Sequence, residues 1–158
     1  MKRIISLLLI MMLLCACAGT QAPSKETEKV YGADFAERVA DAWKSAGYLD
    51  DMTPYSEDDL LDYYGIDLSA CKCGVGFADA VGYTTEAIVV VAPEETANEI
   101  GTLLAGHVED MKEVFRSYDP DAYKIMENAV LLREGELVVL IVSPDAQAML
   151  ETFRGVNP

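Results

Sequence analysis

Apolar residues recur every three or four positions in some stretches of the chain, and every second position or continuously in others. Phe35, Val39, Ala42 and Trp43 keep helical spacing, Asp34 stands where an N-cap would, and Gly47 closes the segment. A short acidic helix is expected next. Ser56 is its N-cap, Asp59 follows three residues on in a near capping-box pattern, Leu60, Leu61 and Tyr64 face inward, and Gly65 is a left-handed stop. Cys71, Cys73, Val75 and Phe77 then alternate with Lys72, Gly74 and Gly76, which predicts a strand with one apolar and one thin face. After a turn near Asp79 to Tyr83, the segment Glu86 to Ala92 is apolar on both faces, as in a central strand, and Pro93 ends it.

The longest helix is predicted from about Pro93 to Ser117. Glu94 and Glu95 suit its positive end, and Ala97, Ile100, Leu104, Val108, Met111, Phe115 and Tyr118 form its core stripe. Asp119-Pro120 breaks it, and a short helical turn, Tyr123 to Met126, leads to strands Ala129 to Arg133 and Leu137 to Val142. Glu134-Gly135-Glu136 joins these two as an antiparallel hairpin. A last helix starts at Pro144-Asp145 and reaches about Arg154, with Ala148, Met149 and Phe153 toward the sheet. This order predicts an α+β fold: a mostly antiparallel sheet of about four strands in two hairpin pairs, a long helix between the pairs and helices at both ends. The helices are expected on one face of the sheet. Two strands are apolar on both faces, so the N-terminal helix and a second protomer in a homodimer are the alternatives for the other.

Ahead of this domain, Met1-Lys2-Arg3 precedes the apolar run Ile4 to Leu14 and then Cys15-Ala16-Cys17. A positive start, a short apolar run and small residues make a secretory signal, and the run is too short for a helix to span a bilayer, which takes roughly 20 residues. Leu14, Ala16 and Cys17 resemble the −3, −1 and +1 positions of a bacterial lipobox. Residues 1–16 are therefore expected to be a signal peptide cut after Ala16. Cys17 is then the thiol that takes diacylglyceryl as a thioether, and the two acyl chains of that group, such as palmitate, make the anchor durable where one would be marginal. Cys15 is a poorer acceptor because large Leu14 would precede it. Residues 17–30 follow as the lipidated N-terminus and a flexible tether with a span of roughly 20 Å. Residues 31–158 form a single domain on the outer face of the cytoplasmic membrane.

Charge changes the picture of partners. The precursor carries 12 basic and 27 acidic side chains, a net −15. Cleavage would remove Lys2 and Arg3 and no acid, leaving 10 against 27, about −17. Such a surface repels nucleic acid and an anionic bilayer. It serves solubility, or attracts cations and basic peptides.

The lipobox, the acidic tether, Leu61-Asp62-Tyr63-Tyr64-Gly65-Ile66-Asp67, the strand Ala87 to Val91 and Glu127-Asn128-Ala129-Val130 before a short hairpin occur in that order. Together they resemble a family of small lipoproteins of clostridial (Gram-positive) bacteria, known as domain of unknown function 4358. The resemblance implies an extracytoplasmic location and this architecture. It implies no activity and no catalytic residues. Cys71 and Cys73 depart from the pattern expected at those positions.

Candidate chemistry is sparse. The single histidine, His107, flanks the long helix's apolar stripe, so a two-histidine zinc site is excluded within one chain. It reads as a boundary residue with a hydrogen bond, for which His107→Gln should change stability by about 1 kcal/mol or less. No Gly-x-Ser-x-Gly, Walker loop or dinucleotide fingerprint occurs, and Gly74-Val75-Gly76 marks close packing rather than a phosphate cradle. No catalytic residue, metal site or cofactor is expected. Cys71 and Cys73 would face one side of a regular strand about 6.6 Å apart, as buried thiols, a strained disulfide or half of a soft-metal site. The acids Asp50, Asp51, Glu57, Asp58, Asp59 and Asp62 lack the spacing of a calcium loop and read as a solvated face. Beside them, Tyr55, Tyr63 and Tyr64 with Asp62 make a candidate ligand or partner patch. The expected function is a non-catalytic envelope module binding a protein, peptide or small ligand. The alternatives are an enzyme using unlocated carboxylates and a structural lipoprotein without ligand.

Overall fold

The computed structural model describes residues 29–80 and 84–158. Ala16, Cys15, Cys17, the rest of the expected signal peptide, nearly all of the expected tether and residues 81–83 lie outside the described residues. The elements run α1 (Phe35–Ser45), β1 (Met52–Pro54), α2 (Glu57–Tyr64), a 3-10 turn (Leu68–Ala70), β2 (Cys73–Asp79), β3 (Glu86–Val91), α3 (Glu94–Tyr118), α4 (Pro120–Glu127), β4 (Val130–Glu134), β5 (Leu137–Val142) and α5 (Ala146–Arg154). The fold is α+β, as the order of elements predicts. Its sheet has five strands in the order β1-β2-β3-β5-β4, with every neighbouring pair antiparallel. The two predicted hairpins, β2–β3 and β4–β5, lie side by side through β3 and β5. The fifth strand is β1, a three-residue edge piece ending in Pro54. Three residues are too few to carry a period of two, and proline at a sheet edge removes no ladder hydrogen bond.

Helices cover both faces: the N-terminal helix α1 takes the second face, one of the two expected covers, and α5 joins it there rather than packing with the other helices. The odd residues Ala87, Val89 and Val91 of β3, with Leu137, Val139 and Ile141 of β5, pack under α1 and α5. The even residues Ile88 and Val90, with Val138, Leu140 and Val142, pack under α2, α3 and α4. The apolar second face is thus closed within the chain by α1 and α5. All twelve residues of β3 and β5 are buried, and each Val or Leu side chain so placed stabilises by about 1.5–3 kcal/mol relative to exposure. Trp43 on α1 is buried with its indole N–H donating 2.9 Å to the Met149 carbonyl, tying α1 to α5 across that layer.

The helix boundaries follow their local chemistry. The Ser56 hydroxyl accepts from the Asp59 amide while the Asp59 carboxylate accepts from the Ser56 amide, a full capping box at α2. Gly65 closes α2 at φ +68°, with its own amide and that of Ile66 donating to Leu61 and Leu60 carbonyls. Three inward assignments do not hold. Leu61 and Tyr118 are exposed, and Ala148 is exposed while Ala146 and Leu150 turn inward. Each is one helical step off the stripe, where a neighbouring residue meets the core first.

The thin face of β2 has a clear use. A Cβ on Gly76 would stand 2.8 Å from Leu60 and 3.0 Å from the Tyr55 ring, and one on Gly74 would stand 2.5 Å from Leu68. Absence of side chains there lets α2 and the 3-10 turn settle directly on the strand.

Candidate functional site

Glu86 opens β3, pairing with Ala78 on β2 and Val142 on β5. Alternation places it on the face of Ile88 and Val90, beneath α3, and it is fully buried. A carboxylate so enclosed must be met by donors, since an isolated buried charge costs far more than a folded domain can spare. The Tyr64 hydroxyl donates to it, and so does His107, between Leu104 and Val108 on the inner flank of α3. Its Nε2 lies 2.9 Å and 3.0 Å from the two Glu86 oxygens. Facing a carboxylate, Nε2 is the nitrogen that carries hydrogen. Glu86 has no exposed side-chain surface, whereas the imidazole keeps 20 % of its own, so the pair joins the interior to the surface. Nδ1 of His107 has no hydrogen-bond partner among the described residues.

Aromatic residues frame this pair. The Tyr64 ring meets the His107 ring edge-on with centroids 4.8 Å apart, and Tyr55 meets Tyr64 similarly at 5.5 Å. Their hydroxyls are 2.8 Å apart. Tyr63 tilts against Tyr55 at 6.0 Å and is 56 % exposed. Burial, then the Glu86 charge and hydrogen bonding to Tyr55, push the Tyr64 phenol well above its ordinary value. The unfolded phenol ionises near pH 10, whereas the folded one keeps its proton. Its contribution to stability is therefore intact below pH 10 and lost as pH rises further, by up to about 1.4 kcal/mol per pH unit. Urea unfolding between pH 9 and 11 should show this fall, and Tyr64→Phe should flatten it to the smaller slope left by Tyr31 and Cys71, both also raised by burial. An unchanged slope in the variant would contradict the placement of Tyr64.

Of the residues singled out from sequence, Tyr55, Tyr63 and Tyr64 are brought together, with Tyr64 buried, Tyr55 half-buried and Tyr63 outside. Asp62 is exposed on the outer side of α2. His107 is a boundary residue with a hydrogen bond, as its position predicts, and its partner is a buried carboxylate 21 positions earlier in the chain. One signal for Glu86 existed: Glu86, Ile88, Val90 and Ala92 share a face by alternation, so Glu86 is the one polar member of a buried row.

The two central cysteines part company. The strand starts at Cys73, not Cys71, so the even spacing does not align them. Cys73 packs on the α1–α5 side and Cys71 on the α2–α3 side, where its thiol donates to the Asp67 carbonyl. Both thiols are free. Burial first, then Asp67, raises the Cys71 thiol above its ordinary value, the opposite of a reactive thiolate.

Among the described residues, no group of three or more His, Cys, Asp or Glu side chains is placed to hold a metal ion, and no helix is long and apolar enough to cross a membrane. A groove of about 470 Å³ lies between α4 and the start of α5, with Lys124 and Ser143 in its lining. A second, of about 600 Å³, runs along α3 past Glu95, Glu99 and Leu103. Neither is lined by Glu86 or His107.

No curated protein and no solved structure matches the chain. A family model does match, over residues 44–143, a span that opens inside α1 and closes just after β5. That span takes in the whole sheet, the Glu86–His107 pair and all three tyrosines. The chain belongs to the family described as Domain of unknown function (DUF4358).

Proposed function

We propose that this protein is a lipid-anchored extracytoplasmic module of the cell envelope that binds a protein, peptide or small ligand without catalysing a reaction. The observation that carries the binding surface is the aromatic series Tyr63–Tyr55–Tyr64–His107, rooted on the buried Glu86. A buried, hydrogen-bonded root holds exposed aromatic rings in one arrangement, which lowers the ordering cost of binding. Tyrosine is enriched at interface cores for the same reason. The chain's entry supports the geometry of an anchored module. Lys29 pairs with Glu134 at the β4–β5 turn, and Glu134, Leu137 and Val91 lie in one row of the sheet. Glu86 is five residues away along β3, about 17 Å toward the opposite end. The chain thus enters the domain at the end of the sheet opposite Glu86.

Attachment rests on Cys17. Cys17→Ala should release the protein from membranes or leave it as an unprocessed precursor, while Cys15→Ala should leave lipidation nearly intact. Labelled palmitate entering wild type and Cys17→Ala equally would refute the anchor. For binding, the lipidated protein pulled from native membranes should bring a partner that Tyr63→Ala loses.

One observation favours an enzyme instead: a buried carboxylate orienting an imidazole is an acid–base arrangement. A folded His107→Gln protein that fails to rescue the phenotype of a deletion strain would favour that second reading. Rescue would favour binding.

A further inference from the structure

We infer that the seam between α2 and α3 is a docking groove for a basic amphipathic segment of another protein; this rests on the binding-module reading and names its partner class. Gly65 at the end of α2 brings the seam together, since a Cβ there would stand 3.4 Å from the Leu103 side chain. Leu61 is one turn before Gly65 on the same side of α2, and His107 is one turn after Leu103 on the same side of α3. Leu61 and Leu103 are 49 % and 48 % exposed, on helices whose other leucines, Leu60 and Leu104, are buried. Glu95, Glu99 and Leu103 follow each other at four-residue spacing and, with Asn98 and Thr102, line an open depression of about 600 Å³ along α3, beside the seam.

Charge identifies the occupant. The α2 sequence and the first sixteen residues of α3 contain no Lys or Arg. Among the described residues, Asp58, Asp62, Glu95 and Glu99 have no ion-pair partner, and none has a Lys or Arg within four positions, unlike Glu109, Glu113, Asp121 and Glu151. Two exposed leucines flanked by four uncompensated carboxylates complement a helix that presents apolar side chains at i and i+4 with Lys or Arg on either side.

The probe is a labelled 14-residue peptide of Leu and Lys at helical spacing, with a Leu–Glu counterpart, titrated against the full chain in phosphatidylcholine nanodiscs and corrected for empty discs. Leu103→Asp separates the groove from mere attraction. It adds a negative charge, so attraction alone would tighten binding of the basic peptide, whereas a groove loses its apolar contact. The expected result is at least about tenfold weaker binding for Leu103→Asp and for Leu61→Ser, both at solvent-exposed positions where melting should be unchanged. Glu99→Lys should weaken binding similarly, and Glu37→Lys on α1 and Glu127→Lys on α4 should stay within twofold of wild type. Tighter binding by Leu103→Asp, or equal losses from Glu99→Lys and Glu127→Lys, would overturn the inference. If the peptide fails while a native partner still co-purifies in a Tyr63-dependent way, the partner class is wrong and the binding module stands. Failure of both removes both.

Discussion

Val90→Asp is expected to abolish the cooperative thermal transition of the domain. Val90 is fully buried on β3, flanked by Gly74 of β2 and Val138 of β5, and faces the core under α3. An aspartate there would displace a side chain worth about 1.5–3 kcal/mol of burial and bring a carboxyl group with no donor beside it. Even protonated, an unsatisfied polar group in such a site costs roughly 2–7 kcal/mol, and the ionised form costs more. The sum is comparable to the whole stability of an ordinary domain, about 5–15 kcal/mol. Val90→Ala is the control: it should lose roughly 2–4 kcal/mol and still melt in one step. Circular dichroism on both reads the difference. A Val90→Asp protein as stable as wild type would refute the assignment of β3 to the centre of the sheet.

His107→Ala is expected to cost about 3 kcal/mol, because it leaves the buried Glu86 carboxylate with the Tyr64 hydroxyl but without its imidazole partner. Sequence alone supported a cost of about 1 kcal/mol or less for His107→Gln, the figure for an ordinary boundary residue. The buried partner raises the expectation: glutamine restores one donor but not the ring's edge contact with Tyr64, so roughly 1–3 kcal/mol should be lost. The double substitution Glu86→Leu with His107→Leu discriminates between a pair and two independent residues. Removing both members together should cost markedly less than the sum of the single changes, with a coupling above about 1 kcal/mol in a urea-unfolding cycle. Additive losses would mean that the 2.9 Å contact contributes nothing specific.

Local rules made most of the elements legible. The boundaries of β5 match to the residue and those of β3 within one, because continuous apolar runs closed by Pro93 and Gly135 admit no other register. The capping box at Ser56 and the left-handed Gly65 were likewise readable, being encoded within four or five residues. β1 was not, since an edge strand of three residues has no internal pattern and forms only because β2 offers it a ladder.

Side-chain partnerships were less legible for a related reason. The three tyrosines were found as neighbours in sequence, yet whether each is core or surface depends on which flank of α2 meets β2 and α3. The Glu86–His107 pair spans 21 residues across a strand and a helix, and no local rule links them. Cys71 and Cys73 show the converse case: two residues apart, they part to opposite sides of the sheet because the strand starts only at Cys73.

Composition, periodicity and punctuation by themselves determined the class, the order of elements and the two hairpins, since each is decided by interactions within about ten residues. Tertiary structure alone decided that helices close both faces, that β1 joins the edge, and that a buried glutamate finds the only histidine. Those outcomes depend on which surfaces exclude water from one another, and that is a property of the packed layers rather than of any segment.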